Sequence, residues 1–350
     1  MSILTRMYRG ETHFDFVAAS KKTLIVSGVL VVASILLMIV RPFNLSIDFT
    51  GGVIVTVEND AGASVEEVRA DLRDVGYADA RVQITGEGFI NVQTEALPPA
   101  EQDALVVAVA EAAGTVTDNV NVSAVGPTFG AEVTRRALEA LVVFLVAVSI
   151  FISWRFEWKM AVGAFAALFH DLVIAGGIYA LIGFVVTPST IIAVLTILGY
   201  SLYDTVVVFD KVNENVHEAS SKATYNEIIN ISMNQVLMRS VNTSLTSLLP
   251  VGSLLLVGYL SIGAETLREF ALALFIGIAI GTYSSLFVAS PVLAMLKERE
   301  PEWERRQRRA VAAEVGDDDG DPDTEESAPP TIVETTAPTA RPPKQRRKRR

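Results

Sequence analysis

An aspartate lies inside an apolar run of the sequence, where a charge is costly. Asp204 falls within residues 188–209, which are rich in Val, Ile, Leu and Tyr, and it precedes Asp210 by six residues. At a helical rise of about 1.5 Å per residue, Asp204 would lie about 9 Å deeper in a membrane than Asp210. A carboxylate in a membrane helix costs about 2.5–3.5 kcal/mol on insertion scales. Unless the helix boundary lies elsewhere, we expect Asp204 either to lock a helix contact as a permanent charge or to gain and lose a proton. The sequence favours a carboxyl group that gains and loses a proton.

A polar segment further along the chain could supply a partner for Asp204. Residues 239–247 begin with Arg239 and are mostly hydroxyl and amide side chains. In a helix, Asn242 and Thr246 share one face, and Arg239 shares another with Thr243. Such a face must pack inside a helical bundle or line a hydrated cavity. We therefore expect Arg239 either to pair with Asp204 at a similar depth or to be an ordinary positive charge at a helix end.

A third polar position is the adjacent pair His170 and Asp171, about ten residues into the apolar run 160–184. A pair at that depth indicates a polar interior, although helical neighbours point about 100° apart and need not act together. No nucleophile motif accompanies the pair, which argues against a Ser-His-Asp hydrolase. The sequence has no phosphate-binding loop and no metal-ligand cluster. We expect no enzymatic activity, no metal and no cofactor, and a proton gradient or a partner's ATPase as the energy source.

The elements that must position these residues are membrane helices. Half of the residues are hydrophobic, and they cluster into blocks long enough to cross a bilayer. The first block follows Lys21 and Lys22, and we interpret it as an uncleaved helix, because Arg41-Pro42 replaces the small-residue site of a signal peptide. On the last block, Gly277, Gly281 and Ser285 form a small-xxx-small pattern that predicts close helix packing. The predicted apolar runs are residues 24–40, 137–154, 160–184, 188–209, 240–260 and 270–296.

The segment between the first two runs has its own order and predicts a small folded domain. Residues 41–131 contain 14 acidic residues and 4 arginines. Ser64 and Glu67 form a capping-box pattern at the start of one of its helices. The order β-α-β-β-α-β is that of a ferredoxin-like split βαβ unit. The predicted elements are a strand at 47–58, a helix at 64–75, strands at 81–85 and 89–94 around a turn at 86–88, a helix at 98–113 and a strand at 120–125.

The fold class predicted is therefore an α-helical polytopic membrane protein, with six transmembrane helices and an exterior α+β ferredoxin-like domain between helices 1 and 2. Basic residues flank the runs on one side, which predicts that both termini are cytoplasmic. The tail is rich in Asp, Glu, Pro, Thr and Ala, which predicts disorder. Its basic end, residues 344–350, could bind anionic lipid or ribosomal RNA, or be a solvated tail that aids orientation. The predicted divisions are residues 1–20 (cytoplasmic), 21–40 (helix 1), 41–132 (exterior domain), 133–297 (helices 2–6) and 298–350 (tail).

Several separated motifs resemble those of the SecD/SecF family, and together they cover residues 15–297. Tyr203 departs from the family pattern, in which Asn is common before the aspartate, and the charged tail is outside the family core. The motifs are Asp48-Phe49-Thr50-Gly51-Gly52, Gly126-Pro127, the stretch 199–211 around Asp204, the stretch 234–249, and residues 281–285 with 289–291.

The resemblance implies more than composition can. It implies an accessory subunit of the bacterial Sec translocase in the plasma membrane, which uses the proton-motive force to promote export and has Asp204 and Arg239 on the proton path. The implied partners are SecD, the SecY/SecE/SecG channel, SecA indirectly, unfolded preprotein, YajC and membrane lipids, with no nucleic acid beyond a weak contact of the basic end. The alternatives are a stand-alone proton-coupled exporter of lipids or small molecules of the resistance-nodulation-division superfamily, a purely structural subunit, and an assembly factor that acts without SecD.

Overall fold

A computed structural model describes residues 14–84, 88–220, 223–260 and 265–316. Within these ranges, six helices are long and apolar enough to cross a membrane. Each overlaps one predicted run, and run 160–184 overshoots its helix by two residues, because Gly183 ends that helix with a φ of 82°. The helices are span 1 (Phe16–Val40), span 2 (Pro127–Arg155), span 3 (Trp158–Ile182), span 4 (Pro188–Glu218), span 5 (Tyr225–Leu260) and span 6 (Thr266–Glu298).

Span 1 begins earlier than the predicted boundary at residue 21, and a side-chain cap explains its start. The Asp15 carboxylate accepts the backbone N–H of Ala18 at 2.8 Å and the side-chain amide of Asn230 at 2.9 Å. The Ala18 N–H and then Asn230 hold the pKa of Asp15 below its usual value, because both donate to its ionised form. The start of span 1 is thereby tied to span 5.

Spans 3, 4 and 6 form the middle of the bundle, where small residues allow close approach. A Cβ atom at Gly277 would lie 2.2 Å from Cδ1 of Ile197, and one at Gly281 would lie 3.0 Å from Cβ of Ser201. At position 277, only glycine fits without moving Ile197 and span 4 away from span 6. Bulky side chains from spans 3 to 6, among them Met160, Leu198, Phe209, Met233 and Leu293, fill the rest of this core.

Span 6 is not a uniform α-helix. The α-helical part Glu265–Ser284 is followed by a π-helical turn, Ser285–Ala289, and then by α-helix Ser290–Glu298. Pro291 lacks a backbone N–H, so the regular α-helical hydrogen bond to the preceding turn cannot form there. Single π turns inside α-helices occur frequently at functional sites. The α-helix ends at Ser284 and the π turn begins at Ser285, so these two serines are candidates for a functional role.

The segment between spans 1 and 2 forms a four-stranded antiparallel sheet covered by two helices. Its strands are β2 (Gly52–Glu58), β3 (Arg81–Ile84), β4 (Phe89–Thr94) and β5 (Asn121–Val125), and they lie in the order β3-β4-β2-β5. Ser64 and Glu67 form the predicted capping box, with the Ser64 N–H donating to the Glu67 carboxylate at 2.7 Å. Valines 53, 55 and 57 of β2 are buried against Leu72 and Leu105 of the helices. The two helices, Val65–Asp74 and Pro99–Ala113, follow β2 and β4 in the chain.

The strand predicted at 47–58 is wrong at its start, because Ile47–Thr50 forms a short helical turn. Gly51 and Gly52 end this turn with φ values of 72° and 129°, which side chains rarely adopt, so β2 begins only at Gly52. A Cβ atom at Gly51 would lie 2.8 Å from Cα of Pro127, and one at Gly130 would lie 2.7 Å from the carbonyl oxygen of Phe49. The turn, which contains Asp48 and Thr50, therefore packs directly on the start of span 2.

Two further elements were not foreseen. A two-residue strand β1 (Asn44–Leu45) pairs in parallel with β6 (Val185–Val186), which links the end of span 1 to the connection between spans 3 and 4. A helix named here α1 (Pro301–Gly316) occupies part of the tail for which disorder was predicted. Ion pairs one turn apart support α1, Glu302 with Arg306 at 2.8 Å and Glu304 with Arg308 at 2.6 Å. The predicted turn residues 86–87, residue 85 and the basic end 344–350 lie outside the described residues.

Candidate intramembrane carboxyl site

Asp204 is buried where spans 4, 5 and 6 meet, with 7% of its surface exposed. The Ser240 hydroxyl of span 5 donates to its Oδ1 at 2.8 Å, and the Ser285 hydroxyl of span 6 donates to its Oδ2 at 2.5 Å. Both donors are neutral, and no ion pair to Asp204 is found among the residues that the structure describes. The carboxylate is thus held by hydroxyl groups from two neighbouring helices.

Asp171 is the second buried carboxyl group, on span 3, and it is 2% exposed. Its Oδ2 accepts hydrogen bonds from Ser201 of span 4 at 2.5 Å and from Ser284 of span 6 at 2.8 Å. Its Oδ1 lies 3.1 Å from Nδ1 of His170. Asp171 therefore has the same kind of setting as Asp204, with the histidine added.

His170 contacts Asp171 through its Nδ1, although neighbouring side chains in a helix diverge. Its imidazole lies against the ring of Tyr283, with 5.9 Å between ring centroids. Its second nitrogen, Nε2, is buried and has no hydrogen-bond partner within the described ranges. A buried polar atom without a partner is costly, so this nitrogen offers a place for a water molecule to bind.

Adjacent serines of span 6 connect the two carboxyl groups. Ser284 donates to Asp171 and Ser285 donates to Asp204, and these two serines stand at the change from α-helix to π turn. Span 4 provides a second link, because Ser201, which holds Asp171, lies three residues before Asp204. The two acidic sites thus share two helices, and a movement of either helix changes both.

Arg239 does not pair with Asp204. It is exposed, and its guanidinium donates to the Tyr203 hydroxyl at 3.3 Å. The orientation of span 5 about its axis explains the difference. Neighbouring residues of a helix point about 100° apart, and Ser240, not Arg239, faces span 4. The expected contact is therefore made by the next residue along the chain.

The polar face predicted to pack inside is also placed differently. Asn242 and Thr246 are exposed on this chain, and Thr243 is half-buried. The buried face of span 5 carries Ser240 and Ser244, and the Thr282 hydroxyl donates to Ser244 at 2.7 Å. The spacing of these two serines, four residues apart, was a signal in the sequence that could have identified them. No group of three or more metal-ligating side chains is found among the described residues.

The chain resembles known proteins along most of its length. The C-terminal region of the protein export membrane proteins SecD/SecF matches residues 106–299, and the SecD/SecF GG motif matches residues 36–60. The protein translocase subunit SecF of Streptomyces coelicolor is 39% identical over 88% of this chain and 83% of its own length. The corresponding subunit of Mycobacterium tuberculosis strain CDC 1551 is 42% identical over 85% of this chain and 70% of its own length.

A solved structure of the same family is also similar to this chain. SecDF from Thermus thermophilus, described as a translocon-associated membrane protein, is 34% identical and superposes with a TM-score of 0.74 over 83% of this chain. The present chain covers 39% of that longer one. With its matching GG motif, its matching C-terminal region and relatives above 30% identity, the chain belongs to the SecD/SecF family of protein export membrane proteins.

Proposed function

We propose that this chain is an accessory subunit of the Sec translocase which, together with SecD, uses the proton-motive force to promote movement of preproteins across the plasma membrane. The observation that carries the proposal is the buried Asp204 held by Ser240 and Ser285. The names of its relatives, translocase subunits SecF and SecDF, support the transport role. Because the chain covers 39% of Thermus SecDF, a separate SecD chain would supply the remainder of such an assembly.

The coupling follows from what a proton does to these hydrogen bonds. An ionised Asp204 accepts from both serines, and hydrogen bonds to a charged group contribute about 1.5–3 kcal/mol each. Once protonated, the carboxyl group accepts more weakly and must itself donate. Ser285 then has an alternative acceptor, the Thr282 carbonyl at 3.2 Å. Protonation therefore loosens the contacts that hold spans 5 and 6 against span 4.

The size of this effect suits a membrane gradient. One charge that crosses 100 mV gains about 2.3 kcal/mol, which is comparable with one charge-assisted hydrogen bond. One proton can therefore bias a bundle that has two packings of nearly equal free energy. We propose that Asp171 and His170 take part in the same relay, because Ser284 and Ser285 place both carboxyl groups on one turn of span 6.

The exposed polar face of span 5 supports SecD as the partner. This face is too polar to contact lipid. It consists of Arg239, Asn242 and Thr246, next to Tyr203 of span 4, which is 54% exposed. A second six-helix unit would cover them and could bring an acidic group to Arg239. We further propose that the SecY/SecE/SecG channel, SecA and YajC are reached through this assembly. A stand-alone exporter would have to cover the same face by pairing with itself.

For the segment between spans 1 and 2, we propose a ferredoxin-like domain on the exterior side that contacts unfolded preprotein. Its strand order and antiparallel pairing support the fold. The basic residues at the other ends of the spans support this orientation, because they favour the cytoplasmic side for both termini.

The test replaces Asp204 with asparagine and uses Asp210→Asn as the matched control. Asp210 lies on the same helix, but its carboxylate is exposed and pairs with Arg155 at 2.8 Å, a surface contact worth little. In inverted membrane vesicles supplied with SecA and a preprotein, D204N should lose the part of translocation that a protonophore abolishes in the wild type, and D210N should keep it.

Purification in mild detergent accompanies this test. D204N should still bring down SecD and the channel, which separates loss of coupling from loss of assembly. Full gradient-dependent export by D204N would leave only the structural-subunit alternative. Recovery of the wild-type chain without SecD would instead favour the stand-alone exporter.

A further inference from the structure

Helix α1, which follows span 6, is anchored to the bundle by an aromatic side chain. Trp303 is only 7% exposed, and its ring lies 4.9 Å from the ring of Tyr225 at the start of span 5. The Arg306 guanidinium covers the other side of the indole at 4.5 Å from its centroid. The first turns of α1 are therefore held in place.

A cluster of charges around two buried lysines fixes the point at which α1 begins. Lys159 Nζ lies 2.8 Å from the Glu300 carboxylate, and Lys297 Nζ lies 3.3 Å from it and also pairs with Glu157. Burial alone would raise the pKa of Glu300, but the hydrogen bond from Lys159 and the charge of Lys297 outweigh it and leave that pKa below its usual value. Glu300, the residue before Pro301, is thus tied to spans 3 and 6.

The same cluster indicates the depth of α1 relative to the membrane. Trp154 and Trp158, at the junction of spans 2 and 3, are 87% and 66% exposed, and exposed indoles of this kind favour the membrane–water interface. Lys159 lies 5.5 Å from the Trp158 ring centroid and also contacts Glu300. Helix α1 therefore starts at the level of the lipid headgroups.

The outward side of α1 is basic. Four arginines against two glutamates lie between Pro301 and Ala310. Glu302 and Glu304 pair with Arg306 and Arg308, and no ion pair is found for Arg305 or Arg309 among the residues described. Both of these arginines are exposed.

Their distance from the headgroups is short. At a rise of about 1.5 Å per residue, Arg305 lies about 6 Å and Arg309 about 12 Å along the axis from Pro301. Arg305 is therefore within the Debye length of about 8 Å whatever the tilt of the helix, and Arg309 is within it when α1 lies along the membrane surface.

We propose that α1 binds the headgroups of anionic phospholipids in the adjoining leaflet, through Arg305 and Arg309. Guanidinium groups make paired hydrogen bonds to phosphate, which gives the contact its geometry. Each basic residue close to an anionic surface contributes about 1 kcal/mol, or about fivefold in affinity. This site does not depend on the proton chemistry of Asp204.

The experiment uses Trp303 as the reporter. The sequence has three tryptophans, so Trp154→Phe with Trp158→Phe leaves Trp303 alone. The full chain is placed in phosphatidylcholine bilayers that contain a fixed fraction of brominated phosphatidylglycerol or brominated phosphatidylcholine, and quenching of Trp303 is compared. The anionic lipid should be preferred near Trp303 by about fivefold when Arg305 alone reaches the headgroups, and by about 25-fold when Arg309 reaches them too.

Variants locate the effect. Arg305→Gln with Arg309→Gln should bring the preference close to unity, and the double lysine variant should retain most of it. Arg135→Gln with Arg136→Gln is the matched control, because it removes the same charge from exposed arginines that pair with Glu132 and Glu139 at the other end of span 2.

Three results would overturn the proposal. One is equal quenching by both lipids, or a preference that R305Q/R309Q leaves unchanged. Another is a preference that emerges only after the acidic residues of the segment 317–326 are changed to amides, which would make that segment the occupant of the basic face. The third is loss of the preference when ribosomal RNA is added at equimolar amount, which would identify a nucleic-acid surface.

Discussion

Ser285 offers the sharpest test of the link between Asp204 and helix packing. Changing Ser285 to alanine removes the donor at 2.5 Å from Asp204 Oδ2 and leaves the Ser240 donor at 2.8 Å on Oδ1. The ionised carboxylate loses a charge-assisted hydrogen bond of about 1.5–3 kcal/mol, whereas the protonated form loses less. The contact between spans 4 and 6 should therefore weaken by about 1.5–3 kcal/mol when Asp204 is ionised, which changes the balance between two packings of the bundle by about tenfold to about 150-fold.

The assay is the part of preprotein translocation that a protonophore abolishes, measured in inverted membrane vesicles. S285A should lower this part of translocation by about tenfold or more, because the packing of span 6 on span 4 is already loosened before a proton arrives. Ser253→Ala is the matched control, because Ser253 is exposed on span 5 and donates only to the Leu249 carbonyl of its own helix at 2.9 Å. Gradient-dependent translocation by S285A that equals that of the wild type and S253A would refute the link between Asp204 and helix packing.

Two further predictions concern stability. Gly277→Ala should lower the free energy of unfolding by about 1–3 kcal/mol in a denaturation series in mild detergent, because the new methyl group would overlap Ile197 at 2.2 Å. Gly199→Ala, where nothing lies within 4 Å, should be neutral or slightly stabilising, and equal stability of G277A and G199A would count against close packing of spans 4 and 6. Glu300 has a lowered pKa, so its contribution is present above the unfolded value, near 4.5, and is lost as pH falls through the folded value. The thermal stability of the wild type should thus exceed that of E300Q at neutral pH and approach it in acid, and a gap that does not depend on pH would contradict this account.

The sequence predicted the spans well, because about 20 apolar residues in a row have few other stable arrangements. It also identified Asp204, Asp171 and His170 as interior groups. A charged side chain in an apolar helix raises the free energy of membrane insertion, so it is expected to face the inside of the bundle. It could not predict their partners. Arg239 and Ser240 are neighbours, and the choice between them depends on a helix rotation of about 100° that tertiary packing decides.

The shorter elements show the same limit. The capping box at Ser64 and Glu67 was readable because it is a local pattern with a local cause. The helical turn at Ile47–Thr50 was not, because the β-branched residues around it favour a strand and only the contact with span 2 requires the turn. Helix α1 was missed for a similar reason, since its charged composition suggests disorder while Trp303 anchors it through a contact with Tyr225, far away in the sequence.

The sheet is joined tightly to the membrane helices at both of its ends. Gly51 packs on Pro127 and Gly130 packs on Phe49 without room for one added carbon, and β5 ends two residues before span 2 begins. On the entry side, the Ser46 N–H donates to the Val186 carbonyl at 2.9 Å, next to the β1–β6 pair. Because both points are tightly packed, we expect the sheet to follow a tilt of span 2 as one rigid body, so that a small rotation of the helix becomes a larger displacement at the far edge of the sheet.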